Sequence, residues 1–263
     1  MKATEAKLLD FLKKSPQFVI PIYQRTYSWT EKECRQLWDD IVRCGSSDKI
    51  AVHFVGSIVY VESGLSQVTH QAPLLVIDGQ QRLTTVSLLL AALAKAVADS
   101  EPFDGFSQRK IKNYYLLNPE ETGERHYKLL LSQTDKASLT ALVGDEEPPQ
   151  HPSIRINANF DSFKRWIGEG KADLATLCRG LAKLVVVDIA LTRDQDNPQL
   201  IFESMNSTGK ELSQADLIRN FILMGLEPGL QTKLYEQFWR PNWTSDRKPT
   251  ARTSMDSCGI TSR

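Results

Sequence analysis

The chain has no excess of charge of either sign, because 32 lysine and arginine residues balance 32 aspartate and glutamate residues. A neutral chain has no overall positive field to attract nucleic acid, so any contact with DNA must use a local patch. Long apolar runs are also missing. The longest covers residues 86–98, is interrupted by Lys95, and is too short to cross a bilayer. Residues 1–14 carry recurring charges and do not resemble a secretory signal peptide.

Cysteines are few and lack the spacing of metal ligands. The four are Cys34, Cys44, Cys178 and Cys258, with no C-x-x-C pair and no histidine placed to complete a zinc site. Free thiols suit a reducing compartment, so we expect a cytoplasmic location and no membrane partner. The sequence also lacks an ordinary P-loop, and its four scattered histidines support no serine-histidine-acid or cysteine-histidine arrangement.

Residues 74–84 contain a predicted strand, a glycine turn and the start of a helix. Four apolar residues end at Asp78-Gly79, and the strongest helical pattern of the chain covers residues 81–98. Free N–H groups and the helix dipole favour an anion at such a junction. Arg82 could clamp a phosphate, and Asp78 could hold a metal ion or orient a water. Alternatively, Asp78 caps the helix and Arg82 pairs with an acid at the surface.

A second motif interleaves aromatic side chains with an arginine. If residues 22–29 are extended, Tyr23, Arg25, Tyr27 and Trp29 share one face of the segment. This combination suits stacking on bases together with contact to phosphates. The alternative is that the aromatic rings fill the edge of a core and that Arg25 bonds to a carboxylate.

A third motif surrounds a predicted turn between two helices. Asn206 and Gly209 flank the turn, and Ser213 caps the second helix with Asp216 three residues later. Asn206, Lys210 and Asp216 could form a second wall of a pocket, although a capped turn alone explains most of the pattern. The apolar face of the second helix consists of Leu217, Ile218, Phe221 and Ile222.

Periodicity and turn residues predict the remaining elements of an α/β (α+β) fold. Helices are expected over residues 6–14, 30–44, 154–167, 172–180, 198–205, 214–226 and 233–239, and strands over residues 18–21, 53–62, 74–77, 127–131 and 181–191. Thr30 and Glu33 form the pattern of a capping box.

Composition predicts three regions along the chain. Residues 1–104 mix strands and helices, residues 105–239 are mostly helical, and residues 240–263 are rich in arginine, serine, threonine and proline. The last region has no periodicity, so we expect it to be disordered. The abrupt change after a helical pattern indicates a truncation or a frame change in the coding sequence.

The three motifs, in this order, resemble the ParB-like N-terminal domain of GmrS/GmrD-type modification-dependent restriction endonucleases. The resemblance covers about residues 5–240. The matching residues are Ile20-Pro21-x-Tyr23-Gln24-Arg25-x-Tyr27-x-Trp29, then Val76-Ile77-Asp78-Gly79-Gln80-Gln81-Arg82-Leu83-Thr84-Thr85, then Phe202-Glu203-x-x-Asn206-x-x-Gly209-x-x-Leu212 with Asp216-Leu217-Ile218.

The resemblance implies a ParB/sulfiredoxin-like unit followed by helices. It also implies that the Asp-Gly-Gln-Gln-Arg loop hydrolyses a nucleoside triphosphate, an activity tied to sensing modified phage DNA. The implied catalytic residues are Asp78, Gln81 and Arg82, with Mg²⁺ or Mn²⁺ on Asp78. The implied nucleotide-binding residues are Gly79, Gln80, Tyr23, Gln24, Arg25 and Asn206.

The chain departs from the family pattern at two points. Nothing after Trp239 could form the histidine-asparagine-histidine nuclease domain of full-length members, so we expect no DNA cleavage and, as a partner, a nuclease domain or subunit. Sulfiredoxin chemistry needs a cysteine where Gln80 and Gln81 stand. The leading hypothesis is therefore a nucleotide-dependent sensor module of a restriction or phage-defence system. The alternatives are a non-catalytic nucleotide- or DNA-binding module and a regulatory partner of a separate nuclease subunit.

Overall fold

The computed structural model describes residues 1–62, 72–192, 196–206 and 213–239. Its strands are β1 (Lys2–Lys7), β2 (Phe18–Val19), β3 (His53–Glu62), β4 (Leu74–Asp78), β5 (Leu129–Leu130) and β6 (Leu184–Leu191). They form a six-stranded sheet in the order β1-β6-β3-β4-β2-β5. β1 pairs with β6, and β3 with β4, in antiparallel fashion; the other neighbours are parallel. The sheet is therefore mixed, as expected of the predicted α+β class.

The described residues also form ten α-helices. They are α1 (Leu8–Lys14), α2 (Glu31–Gly45), α3 (Gln80–Val97), α4 (Gln108–Ile111), α5 (Gln133–Gly144), α6 (Ile154–Gly168), α7 (Leu174–Ala182), α8 (Pro198–Asn206), α9 (Gln214–Met224) and α10 (Pro228–Leu234). π-Helical turns follow at Lys112–Leu116 and Tyr235–Trp239, and a 3₁₀ turn lies at Gly123–His126. Met1–Gly225 forms one compact unit, and the described residues from 226 onward belong to a second.

Most of the predicted elements are confirmed, with shifts of a few residues at their ends. The capping box of Thr30 and Glu33 is formed at the start of α2. The helix predicted over residues 233–239 begins earlier, at α10, and continues as a π-helical turn. The predicted tail, residues 240–263, lies outside the described residues.

β1 was not predicted, because its sequence shows no apolar alternation and five of its six residues are exposed. It becomes a strand only by pairing with β6 from Lys2 opposite Ala190 to Lys7 opposite Val185. β5 and β6 both follow residue 104 and still join the sheet, which therefore takes strands from both sides of the predicted boundary.

The two faces of the sheet carry separate apolar clusters. Val76 of β4 belongs to the larger cluster, which includes most of α3. Ile77, the next residue, belongs to a smaller cluster with Val59, Leu191 and Phe202. Alternate residues of a strand point to opposite faces, so β4 is buried on both sides. α3 is apolar around most of its circumference and packs against α4 and α6. The junction from β4 to α3 is thus anchored by the core on both sides.

Candidate functional site

Gly79 forms the junction between β4 and α3. It precedes the first residue of α3 and has a φ of +95°, a conformation that glycine adopts without steric cost. A Cβ at this position would lie 3.0 Å from the Ser57 carbonyl oxygen and 3.2 Å from Ile58 Cα. Glycine is therefore required both by the backbone conformation and by the close approach to β3. The first N–H groups of α3 are left without intrahelical partners at this position.

Asp78 does not cap α3. No hydrogen bond from a helix N–H group to its carboxylate is formed in the described part of the chain. Its Oδ2 instead lies 3.7 Å from Nη1 of Arg82, and both side chains are partly exposed. The capping alternative is therefore wrong for Asp78. The pairing of Arg82 with an acid is confirmed, at a distance longer than a hydrogen bond.

Arg82 lies across Gly56 of β3. Its Nη1 donates to the Ser57 carbonyl oxygen at 2.7 Å. Gly56 has a φ of +110°, and a Cβ there would lie 2.7 Å from Cζ of Arg82. The register of β3 against β6 shifts between Phe54 and Ser57, so Gly56 lies in an irregularity of the strand. Across the described ranges, Nε and Nη2 of Arg82 donate to no protein group. One nitrogen holds the guanidinium in place and the others are available to a ligand.

Residues 22–29 do not form an extended strand. Tyr23 and Tyr27 are both buried, as the core alternative predicted. The Tyr27 hydroxyl is 2.7 Å from Oγ1 of Thr85 and accepts from Nδ2 of Asn159 at 3.0 Å, and burial raises the Tyr27 pKa above its ordinary value. Trp29 is partly buried and packs against the same core. These aromatic rings are not placed for stacking on bases.

Gln81 connects α3 to this segment. It is 7% exposed, and its Oε1 accepts from the N–H groups of Ser28 at 2.8 Å and Trp29 at 3.2 Å. Its Nε2 donates to the Thr26 carbonyl oxygen at 3.4 Å. Both ends of the carboxamide are therefore committed to the backbone of residues 26–29.

Gln80 and Gln24 hold the same segment from two further directions. Nε2 of Gln80 donates to the Arg25 carbonyl oxygen at 3.2 Å. Nε2 of Gln24 donates to the carbonyl oxygens of Val76 at 2.6 Å and Ile77 at 3.0 Å. β2 pairs with β4 only as far as Leu75. Beyond Leu75, the hydrogen bonds of the Gln24 side chain replace the strand pairing and join residues 22–29 to the end of β4.

Arg25 brings a second cation to the junction. Partial burial lowers the pKa of its guanidinium, while the nearby carboxylates of Asp216 and Asp78 oppose that shift. Despite these two neighbours, its side chain forms no ion pair or hydrogen bond within the described ranges. Arg25 and Arg82 thus both lie near Asp78, one from the segment and one from α3, and both have donors that a ligand could use.

The face of α9 that is buried against the protein is not the apolar face that the sequence predicted. The predicted apolar face is largely exposed, and Phe221 is 63% exposed. The buried residues are Arg219, Asn220 and Leu223. Nε of Arg219 donates to the Tyr23 carbonyl oxygen at 2.7 Å. Arg219 was missed; the available signal was a charged residue and an amide side by side in an otherwise apolar helix.

The remaining residues of the third motif are partly described. Asn206 ends α8, but its side chain and Lys210 lie outside the described part of the structure. The predicted capping box of α9 is confirmed, with Ser213 and Asp216 exchanging hydrogen bonds. The connection between Asp216 and the candidate site is therefore electrostatic: its negative charge acts to raise the pKa of Arg25, against the larger effect of burial.

A buried carboxylate also supports the segment. Asp135 of α5 accepts from the Tyr27 N–H at 2.6 Å, and burial raises its pKa. A raised pKa means that the Asp135 carboxyl holds its proton more tightly in the folded state than in the unfolded state. The stability that this proton contributes is fully present below the unfolded pKa and is lost as pH rises through the folded pKa. Urea unfolding should show that Asp135→Asn gains stability relative to wild type as pH rises above about 4, the ordinary pKa of an aspartate in the unfolded chain.

Asp135→Ala should instead cost roughly 1–3 kcal/mol, because it leaves the buried Tyr27 N–H without an acceptor. Asp39→Asn, at an exposed position of α2, is the matched control and should show neither effect. A wild-type protein that gained stability over Asp135→Asn with rising pH would contradict the burial argument.

The site residues fit a divalent cation only in combination with a phosphate ligand. Among the described residues, no group of three histidine, cysteine, aspartate or glutamate side chains could hold a metal ion. Asp78 is a single, partly exposed carboxylate beside two arginines. Magnesium is often held by one or two carboxylates together with substrate phosphates, so this donor set is sufficient for a metal that arrives with a nucleotide.

The fold and the site define a mixed α/β domain in which a buried strand leads through Gly79 into a buried helix, with two arginines near the junction. The chain belongs to the family described as GmrSD restriction endonuclease, N-terminal domain, whose sequence model matches residues 7–223. The predicted resemblance is thereby confirmed, and the match indicates a component of a restriction or phage-defence system. A search of curated proteins finds no match. No helix in the described ranges has the length and apolar character needed to cross a membrane.

Proposed function

We propose that the chain is a nucleotide-dependent sensor module that binds and hydrolyses a nucleoside triphosphate with Mg²⁺ or Mn²⁺ at the β4–α3 junction. One observation carries the proposal. Two arginines, Arg25 and Arg82, lie near Asp78 at the N-terminus of α3, and both have guanidinium donors that no described protein group uses. Buried or half-buried cations with open donors suit an anionic ligand of high charge, such as a triphosphate.

Each residue of the junction has a separate task in this proposal. The first N–H groups of α3 and the helix dipole bind phosphate oxygens. Arg82 is held by Ser57 and stabilises the charge that develops on the transferred phosphoryl group. Asp78 would hold the divalent ion, which supplies charge neutralisation on the phosphates. Arg25 adds a second positive charge near Asp78.

Gln81 has a narrower role than the family resemblance implied. Its amide is committed to residues 26–29, and orienting the attacking water would require it to exchange one of those bonds. We assign Gln81 and Gln80 to holding the segment that carries Arg25. Tyr23 and Gln24 act in the same way, since Tyr23 is buried and Gln24 is bonded to the end of β4.

The test measures phosphate release from each of the four ribonucleoside triphosphates with Mg²⁺, comparing wild type with Asp78→Asn. Asp78→Asn should reduce release by at least about tenfold, because a neutral amide is a poor ligand for Mg²⁺. Asp39→Asn is the matched control, exposed on α2 and far from the junction in sequence. A wild-type protein that neither binds nor hydrolyses any triphosphate would overturn the proposal.

A non-catalytic nucleotide-binding module is the second candidate. The observation that favours it is the commitment of the Gln81 amide, which leaves the described junction with one carboxylate and no second side chain to activate a water. In that case triphosphate binds and Arg82→Ala weakens binding, but no phosphate is released. In either case, we propose that the module acts in the cytoplasm with DNA and a nuclease domain or subunit as partners.

A further inference from the structure

We infer that Arg219 and Asp216 of α9 are positioning residues for the proposed nucleotide site, and that Arg219 keeps Asp216 from pairing with Arg25. The inference rests on the proposed function of the β4–α3 junction. It adds Arg219 of α9, which the sequence analysis did not single out, to the construction of that site, and it gives a task to Asp216, which the sequence analysis named as a possible wall of a pocket. It also gives Arg25 a reason for lacking an ion pair beside two carboxylates.

Arg219 is a buried cation that forms hydrogen bonds to a backbone carbonyl and to a carboxylate. It is 4% exposed, its Nε donates to the Tyr23 carbonyl oxygen at 2.7 Å, and its Nη2 donates to Oδ1 of Asp216 at 2.6 Å. A buried guanidinium is costly unless it is paired and hydrogen-bonded. Its planar fork fixes the directions of both bonds, so the carbonyl and the carboxylate are held in one relative position.

Asp216 is itself held from its other side. Its Oδ2 accepts from Oγ of Ser213 at 2.7 Å and from the Ser213 N–H at 3.3 Å. Arg219 takes Oδ1 and Ser213 takes Oδ2. Both oxygens are occupied, and the charge of Asp216 acts on Arg25 only through space.

The turn that carries Arg25 is fixed from three elements. α9 holds the Tyr23 carbonyl through Arg219. The Gln24 side chain is bonded to the end of β4, and Gln80 at the start of α3 holds the Arg25 carbonyl. The backbone is held on both sides of Gln24, while the Arg25 guanidinium bonds to no group in the described part of the chain, so its donors are open to a ligand.

Loss of Arg219 has two consequences in this arrangement. It releases the Tyr23 carbonyl, and it leaves a carboxylate oxygen of Asp216 without its partner. Arg25 is a cation whose charge already interacts with that of Asp216, so we expect it to pair with the freed oxygen. A direct Asp216–Arg25 ion pair would consume the donors that Arg25 offers to phosphate.

This arrangement predicts that triphosphate binding is rescued when Asp216 is neutralised. We expect Arg219→Gln to weaken triphosphate binding by about tenfold, and we expect the double variant Arg219→Gln/Asp216→Asn to recover at least about threefold of that loss. Removing the unpaired carboxylate can also restore stability, so the free energy of unfolding in urea is measured for both variants. Binding that recovers beyond the change in stability shows that Arg25 has been freed. Dissociation constants are measured with each ribonucleoside triphosphate and with inorganic triphosphate as a base-free probe.

Two further variants complete the experiment. Arg219→Lys keeps a positive charge and one bond, so its binding should fall between wild type and Arg219→Gln; it is also the variant to use if Arg219→Gln does not fold. Arg179→Gln is the matched control, because Arg179 of α7 also donates to a neighbouring side chain, Oγ1 of Thr176, but takes no part in the junction. A double variant that binds no better than Arg219→Gln would overturn the inference.

Hydrogen exchange separates this inference from the proposed function. Without nucleotide, Arg219→Gln should speed amide exchange in residues 23–26 and leave exchange in β6 unchanged. If the wild type binds no triphosphate but this local acceleration is seen, the proposed function fails and the positioning role stands. If exchange in residues 23–26 does not change, Arg219 does not hold the turn and the inference fails, whatever the wild type binds.

Discussion

Arg82→Ala is expected to reduce phosphate release by about 100-fold or more, the usual effect of removing one donor that stabilises developing negative charge. The guanidinium is preorganised: Nη1 is bonded to the Ser57 carbonyl, Gly56 leaves room for the planar group, and Nε and Nη2 are unclaimed by the described protein groups. A donor held in place before the ligand arrives needs no reorganisation during the reaction.

Two companion variants identify the source of that loss. Arg82→Lys keeps the charge but loses the fork that can bind two phosphate oxygens, so it should recover only a small part of the activity. Arg43→Ala removes a 62% exposed arginine that pairs with Asp40 on α2, and it should leave phosphate release unchanged. Full activity in Arg82→Ala, measured as phosphate release at saturating triphosphate, would remove Arg82 from the site.

Gly56→Ala is expected to lower both the stability of the fold and triphosphate binding. Its Cβ would lie 2.7 Å from Cζ and 2.8 Å from Nε of Arg82, and its φ is +110°. The backbone strain costs roughly 1–3 kcal/mol, and the clash adds a further amount unless the guanidinium moves. Since the atoms that must shift belong to the end of the Arg82 side chain, we expect triphosphate binding to fall together with stability.

Gly105→Ala is the matched control for the backbone strain. Gly105 has a φ of +86°, but an added Cβ would meet nothing within 4 Å. Urea unfolding should therefore show a loss for both variants, and triphosphate binding should weaken only in Gly56→Ala. Equal binding by the two variants would show that displacement of Arg82 does not matter to the ligand.

Local sequence signals determined the elements that need no distant partner. The capping boxes of α2 and α9, the Asp78-Gly79 junction and the span of α3 all depend on residues within a few positions of one another. Hydrogen bonds from a cap to the first turn, a glycine with positive φ and a run of apolar residues are local features. The position of the candidate site followed from the same signals.

The orientation of α9 could not be read from its sequence. A helix with four apolar side chains on one face is expected to bury that face. In the structure Arg219 and Asn220 are buried instead, because the Tyr23 carbonyl and Asp216 give the guanidinium its hydrogen bonds. That pairing joins residues 196 positions apart in the chain, so no local pattern could indicate it.

The same limit applies to the residues around the junction. Sequence alone determined that a strand, a glycine turn and a helix start meet at Asp78–Arg82, because those features are local, and the three motifs indicated the family. Only the tertiary structure decided that Tyr23 and Tyr27 are buried, that Gln81 holds residues 26–29, and that β1 is a strand. Each of these features depends on partners that are distant in sequence and that the fold brings together. Burial and hydrogen bonds to those partners decide the role of a side chain, so its residue type alone does not predict that role.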